Sequence, residues 1–176
     1  MSFVRIFLFK TSPNRDSKKN ISSLAHKFVY DLACKELGAD VIIGTGEFGK
    51  PFIIGHDEWQ FNISHTEGLL TVAISNMSIG IDVENVQQAN MSVAKRFFTH
   101  EEYAYIELDA DHQHERFMEV WTKKESYLKY VGAGLHHPLN SINVIGMQDF
   151  YNYFFIDKWI VCICQKNCEG YEVINI

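Results

Sequence analysis

Phe61-Asn62-Ile63-Ser64-His65-Thr66-Glu67-Gly68-Leu69-Leu70-Thr71-Val72-Ala73-Ile74-Ser75-Asn76-Met77-Ser78-Ile79-Gly80-Ile81-Asp82-Val83-Glu84 reads as an antiparallel meander. Phe61 to His65 is a strand, Thr66-Glu67-Gly68 a turn, and Leu69 to Ser75 a β-branched strand. Asn76-Met77-Ser78 turns the chain again, and Ile79 to Glu84 alternates apolar and polar residues. On that last strand Ile81 and Val83 face one way, Asp82 and Glu84 the other.

Outward from the meander, each side carries one long amphipathic helix. Upstream, Leu24, Phe28 and Leu32 recur every four residues between Asn20 and Leu37, and Gly38 stops the pattern. Met1 to Lys10 forms a first strand, and the polar run Thr11 to Lys19, with Pro13, Asn14 and Asp16, leads into the helix. Val41 to Ile43 and Pro51 to Ile54 are short extended runs among glycines. Downstream, Met91 to Phe98 is helical, and Thr99-x-x-Glu102 has the form of a capping box opening a helix to Leu108. The longest helix runs from about His112 to Val131, with Phe117, Val120, Trp121, Lys124, Leu128 and Val131 on one stripe and Gly132 as its stop. Strands are expected at Ser141 to Gly146, Tyr151 to Ile156, Lys158 to Cys164 and Tyr171 to Ile174. The pattern predicts an α+β fold of two similar lobes, each an antiparallel sheet with a long helix, and a ligand cleft between them. Residues 1–176 form one domain, with one lobe over about 1–78 and the other over about 79–176.

Composition narrows the classes. The 176 residues are 47% hydrophobic and 22% charged, which excludes disorder and low complexity. A net charge of -6 argues against a nucleic-acid coat or an anionic membrane surface, while leaving room for a local basic pocket. No apolar run approaches the roughly 20 residues that span a bilayer. Cys34, Cys162, Cys164 and Cys168 fit no usual zinc spacing, and Cys162 and Cys164 fall in an apolar run. They read as reduced thiols of a cytoplasmic protein.

Several short segments could carry chemistry. Asp82 and Glu84 stand roughly 7 Å apart along their strand. At an effective dielectric near 20 such charges repel by roughly 2 kcal/mol, so a buried pair needs a cation or a proton between them. Mg²⁺ suits that demand, since it takes one or two carboxylates and fills its shell with phosphate oxygens and water. Taken singly, the pair also fits a solvated edge strand. Trp121, Glu125 and Lys129 are successive i, i+4 positions, which sets an acid and a base along one side of the long helix, although a bare Glu-to-Lys pair is also a common surface feature. Ser64 and His65 are adjacent on a strand and so point to opposite faces, which disfavours a serine hydrolase triad and favours donors to an anion. Gly49-Lys50-Pro51 is a turn carrying one cation, without the frame of a Walker loop.

In this order and combination the segments resemble the 4'-phosphopantetheinyl transferases, specifically the larger, monomeric type that activates nonribosomal peptide and polyketide synthases. The likeness rests on Gly49-Lys50-Pro51, Phe61-Asn62-Ile63-Ser64-His65, Gly80-Ile81-Asp82-Val83-Glu84 and Trp121-x-x-Lys124-Glu125-Ser126-x-x-Lys129. Arg96-Phe97-Phe98, Glu101-Glu102-Tyr103 and Gly132-x-Gly134-Leu135 extend it, so that it spans about Ser22 to Val144. The resemblance implies a pseudo-twofold pair of lobes with coenzyme A in the cleft and Mg²⁺ on its pyrophosphate, Mn²⁺ being accepted by the same oxygen ligands. It implies Asp82, Glu84 and Glu125 as metal ligands, and Lys129 facing the pyrophosphate and helping 3',5'-ADP leave. Lys50 and His65 would contact the coenzyme's phosphates with Ser64 close by, and Glu125 would act as metal ligand or as base. The implied partner is an apo acyl or peptidyl carrier protein whose serine receives the arm, and the implied state is a monomer.

One departure concerns the start. The family's larger members carry a longer stretch before the first helix, with cations for the coenzyme's 3'-phosphate. Here residues 1–21 precede Ser22, and Lys19, with Lys18 and Lys10, is expected to compensate. The competing expectations are a non-catalytic module that holds coenzyme A or a carrier domain, and a small Mg²⁺-dependent phosphoesterase using the same acids.

Overall fold

The computed structural model describes residues 3–12, 18–134, 137–147 and 150–176. Pro13, Asn14 and Asp16 of the first loop, Met1 and Ser2 of the first strand, and Leu135 after the glycine turn lie outside the described residues. In chain order the elements are β1 (Phe3–Lys10), α1 (Lys18–Leu37), β2 (Ile43–Thr45), β3 (Pro51–Ile53), β4 (Gln60–Thr66), β5 (Leu69–Ser75) and β6 (Gly80–Asn85). Then follow α2 (Met91–Phe97), α3 (His100–Glu107), α4 (Gln113–Val131), β7 (Tyr151–Ile156), β8 (Trp159–Cys164) and β9 (Gly170–Asn175).

The molecule is α+β, as the periodicities predict. One sheet has the order β4-β5-β1-β9, a second β6-β8-β7, and β2 pairs with β3 alone. The two larger sheets stack face to face because their strands alternate. Val4, Ile6 and Leu8 of β1 meet Ile81 and Val83 of β6 and Val161 and Ile163 of β8 in one core. The opposite side of β1, Phe7 and Phe9, packs on Ile21, Ala25, Val29 and Ala33 of α1. On the outside of the second sheet, Phe117, Val120 and Leu128 of α4 form a third core with Ile106, Ile142, Val144 and Ile160. The helices thus flank two central sheets, and β6 lies against both α4 and the β4 side of the first sheet.

Two expectations need correction. All strands were expected to be antiparallel, yet β9 runs parallel to β1, Phe3 opposite Gly170 and Leu8 opposite Asn175. The last strand therefore closes the first sheet. No strand forms over Ser141 to Gly146. Leu139–Ser141 is a 3-10 turn, and the backbone beyond it is held by side chains instead of a ladder. Val144 N–H donates to Glu102 Oε1 at 2.9 Å, and the carbonyls of Leu139 and Ile142 accept from Lys124 Nζ. The apolar alternation there reflects burial of Ile142 and Val144, which needs no sheet.

That anchoring explains why a lysine lies on the apolar stripe of α4. Lys124 and Glu102 are both fully buried and pair at 2.7 Å. Glu102 also closes the capping box of α3, accepting from Thr99 N–H while Thr99 Oγ1 accepts from Glu102 N–H. Burial pulls the Lys124 ammonium down and its partner Glu102 opposes that pull. Such a pair is costly to assemble and costlier to break, so it fixes α3, α4 and the 139–144 segment in one arrangement.

Among the described residues no helix is long and apolar enough to cross a membrane, and all four cysteines are free thiols. Burial pushes the Cys162 thiol up to about 12.

Candidate active site

The site is built where β6 meets α4. Gly80 opens β6, and a Cβ placed on it would stand 1.9 Å from Ser126 O and 2.5 Å from Tyr130 N. Only a residue without a side chain lets the strand pass this close to the helix backbone. The approach brings the outward face of β6, Asp82 and Glu84, under the side of α4 that carries Trp121, Glu125 and Lys129. From the other direction β4 is tied to β6 by Asn62, whose Oδ1 accepts from Ile81 N–H at 2.9 Å. Ser64 Oγ accepts from Val83 N–H at 3.3 Å.

At the centre Asp82, Ser64 and Lys129 form a closed triangle. Lys129 Nζ donates to Asp82 Oδ1 at 2.6 Å and to Ser64 Oγ at 2.8 Å, and Ser64 Oγ donates to Asp82 Oδ1 at 2.8 Å. Asp82 is only 3% exposed, so this is a charge pair largely removed from water. Its other oxygen, Oδ2, is buried without a hydrogen-bond partner, and so is Glu125 Oε1. Buried carboxylate oxygens with no donor are expensive, and a native site tolerates them where a ligand or ion will meet them.

The remaining acids share the strain. Burial and then the charge of Asp82 push the Glu84 carboxyl up to about 7, while the indole of Trp121 works against them. Trp121 Nε1 donates to Glu84 Oε1 at 3.2 Å. Glu125 is likewise raised, by burial first and Asp82 second, with Lys129 opposing. Each acid thus feels a neighbouring acid's charge. Among the described residues no three His, Cys, Asp or Glu side chains already stand together as a metal cage. Lys129 holds one oxygen of Asp82, and Trp121 holds one of Glu84. The donor set nevertheless suits a hard divalent cation chemically, because two hard carboxylate oxygens are left without a donor.

Lys129 and Glu125 open onto a cavity of about 360 Å³ whose apolar walls include Phe48, Pro51, Ile63 and Leu128. His65, one residue from Ser64, lies at the cationic side. Burial lowers its pKa, and the charges of Lys129 and Lys18 lower it further. Lys18, at the start of α1, is therefore near enough to act on the imidazole. Of the basic residues expected to serve the start of the chain, Lys19 is exposed on α1, and Lys10 is paired with Asp157 at 3.0 Å on the surface. Lys50 lines the cavity, but its ammonium turns out of it toward Ser78, Ile79 and Tyr130, and burial brings its pKa down to about 8.

Sequence reasoning missed three contributors. Trp121 helps to anchor α4. It does so by stacking on Phe98, just past α2, with centroids 6.3 Å apart, and it also holds Glu84. Asn62 ties the sheets together beneath the site. The Glu102–Lys124 pair stiffens the helix that presents Glu125. The adjacency of Lys124 and Glu125 was the available signal, since a lysine on an apolar stripe requires a buried partner.

A buried acid–lysine cluster where β6 meets α4, with unpartnered carboxylate oxygens on Asp82 and Glu125, is chemically suited to a cation-assisted anionic ligand. Comparison with known proteins agrees with that class. The family model of the 4'-phosphopantetheinyl transferase superfamily matches residues 78–164. The chain is 37% identical over 163 residues to a 4'-phosphopantetheinyl transferase of Bacillus subtilis, covering 80% of this chain and 73% of that one. It is 38% identical over 112 residues to the 4'-phosphopantetheinyl transferase Sfp of Bacillus subtilis (strain 168), covering 63% of this chain and 50% of the relative. It is also 38% identical over 103 residues to the 4'-phosphopantetheinyl transferase gsp of Aneurinibacillus migulanus, covering 58% and 43%. The chain belongs to the 4'-phosphopantetheinyl transferase superfamily. It spans half or less of the length of two of these three relatives.

Proposed function

We propose that this protein moves the 4'-phosphopantetheine arm of coenzyme A onto a serine of an apo acyl or peptidyl carrier protein, with Mg²⁺ as the metal and Mn²⁺ able to replace it. The observation that carries the reading is the pair of buried, unpartnered oxygens, Asp82 Oδ2 and Glu125 Oε1, on acids grouped with Lys129, of which Glu125 and Lys129 line the cavity. Family membership supports the reaction class.

Coenzyme A supplies a diphosphate for the cation and a nucleoside for a cavity of this size and apolar lining. Asp82, Glu84 and Glu125 would hold the divalent ion, which when bound withdraws charge from the diphosphate oxygens. Lys129 gives the diphosphate a cation fixed on a helix, Lys18 extends the positive side toward the remaining phosphate, and His65, whose lowered pKa favours the neutral ring, offers a ring N–H donor there. The carrier serine Oγ attacks the β-phosphorus. A bond from that oxygen to phosphorus forms, the bond to the bridging oxygen breaks, and 3',5'-ADP leaves with the bond's electrons. The serine proton passes to Glu125, directly or through a water, on a carboxylate oxygen that the ion does not hold. Lys129 faces the charge that grows on the departing group.

The four free thiols fit the reducing cytoplasm, where we place the protein as a monomer. Incubating it with coenzyme A, Mg²⁺ and a panel of apo carriers is expected to add the mass of one phosphopantetheine arm to a carrier serine and to release 3',5'-ADP in equal amount. Absence of any mass gain across the panel, with folded protein, would contradict the proposal.

A further inference from the structure

The side chain of Lys50 does something that its place in a Gly-Lys-Pro turn does not announce. Its ammonium donates to Tyr130 O at 2.9 Å, Ile79 O at 3.0 Å and Ser78 Oγ at 3.2 Å. An ammonium has three N–H groups, so three acceptors use them all. Tyr130 lies in the last turn of α4, where unsatisfied carbonyls and the helix dipole both favour a cation. Ser78 and Ile79 belong to the short connector between β5 and β6, where the chain passes from the first sheet to the second. Ser78 Oγ also donates to Tyr130 O at 3.2 Å, so connector and helix end are joined to each other as well. The stem of Lys50 runs over the helix stop: a Cβ on Gly132, which has φ 71°, would meet Lys50 Cδ at 3.4 Å.

The connector is gripped from its other side too. Gln165, just past β8, donates from Nε2 to Ser75 Oγ at 2.6 Å, Met77 O at 3.2 Å and Ser78 O at 3.4 Å. A segment that could hinge the two halves is thus pinned by one side chain from each. Among the described residues, Lys50 reaches both the connector and α4, the helix that carries Glu125 and Lys129.

We infer that Lys50 is a clamp between the halves: it holds the end of α4 and the β5–β6 connector to the turn before β3, and so sets the distance between Ser64 and His65 on one side and Glu125 and Lys129 on the other. It acts as a positioning residue, and its charge is spent on protein acceptors instead of on a phosphate of the co-substrate. The kinetic part of its test rests on the transferase reading above; the structural part does not.

The test compares wild type with Lys50→Met, which keeps the stem and removes the donors, and Lys50→Arg, which restores a cation. In the ligand-free protein, hydrogen exchange of residues 76–80 and 130–134 is expected to quicken about tenfold in Lys50→Met, with β1 and β8 unchanged and Lys50→Arg recovering protection. Unchanged exchange in those segments would overturn the clamp. Should Lys50→Met fail to fold, Ser78→Ala, which removes one acceptor, is read in the same assay with the same criterion. In transfer assays Lys50→Met is expected to raise KM for coenzyme A about tenfold while kcat stays within about twofold, and to raise KM for 3'-dephospho-coenzyme A by the same factor. A rise confined to coenzyme A would make Lys50 a phosphate ligand and overturn the inference. If wild type transfers nothing, the transferase reading fails and hydrogen exchange alone decides the clamp.

Discussion

Gly80→Ala is expected to cost about 4 kcal/mol or more, the range reserved for disruptions of a packed backbone. The added methyl would stand 1.9 Å from Ser126 O and 2.5 Å from Tyr130 N. Both are main-chain atoms in the C-terminal part of α4, so no rotamer change relieves the overlap. Helix and sheet must separate, and the core that α4 shares with β8 through Leu128 and Ile160 opens with them. The loss falls on function too, because the same contact sets Asp82 and Glu84 beneath Glu125. Gly146→Ala is the control: a Cβ there meets nothing within 4 Å, and the change is expected within about 0.5 kcal/mol of neutral. Urea unfolding of the two variants checks this, as a shift of midpoint at constant slope. Equal midpoints for the two would mean that β6 and α4 do not pack as described.

The second large effect is chemical. Glu125→Gln is expected to lower kcat for phosphopantetheine transfer about 10³-fold, the scale of removing a positioned base. Stability should hold or rise. Burial and the Asp82 charge raise the Glu125 pKa, so the folded state disfavours its ionised form, and a neutral amide of the same shape is free of that cost. A variant that melts no lower than wild type yet turns over a thousandth as fast separates catalysis from folding. A wild-type rate would remove Glu125 from the reaction, and a large drop in stability would give it a structural role instead.

Much of this architecture is legible in the sequence because it is local. The alternation from Phe61 to Glu84 yields β4, β5 and β6 to within about a residue, the spacing of Leu24, Phe28 and Leu32 yields α1, and Thr99 with Glu102 forms the capping box it spells. The i, i+4 series Trp121, Glu125, Lys129 correctly predicts three side chains on one side of α4, because a helix's repeat is fixed by geometry. What escaped is set by partners far along the chain. A short strand such as Gly170–Asn175 carries its own alternation but no mark of which neighbour it will join, so its parallel pairing with β1 is invisible. Ile142 and Val144 alternate like a strand, yet the groups that satisfy their backbone are Glu102 and Lys124, more than a helix turn away in sequence and adjacent only in space. Lysines are the least readable. The same flexible stem sends Lys10 to Asp157, Lys124 into the core, Lys129 to Asp82 and Lys50 to the end of α4, and nothing in the neighbouring residues tells these destinations apart.

Binding of Mn²⁺, followed by the loss of the free ion's paramagnetic resonance signal, addresses the site directly because the signal comes from the metal alone. If the bare oxygens of Asp82 and Glu125 hold the divalent ion together, wild type with coenzyme A takes up one Mn²⁺ per chain, and Asp82→Asn and Glu125→Gln each weaken that binding about tenfold or more. Mn²⁺ uptake identical in wild type and both variants would contradict the shared metal site and the account built on it.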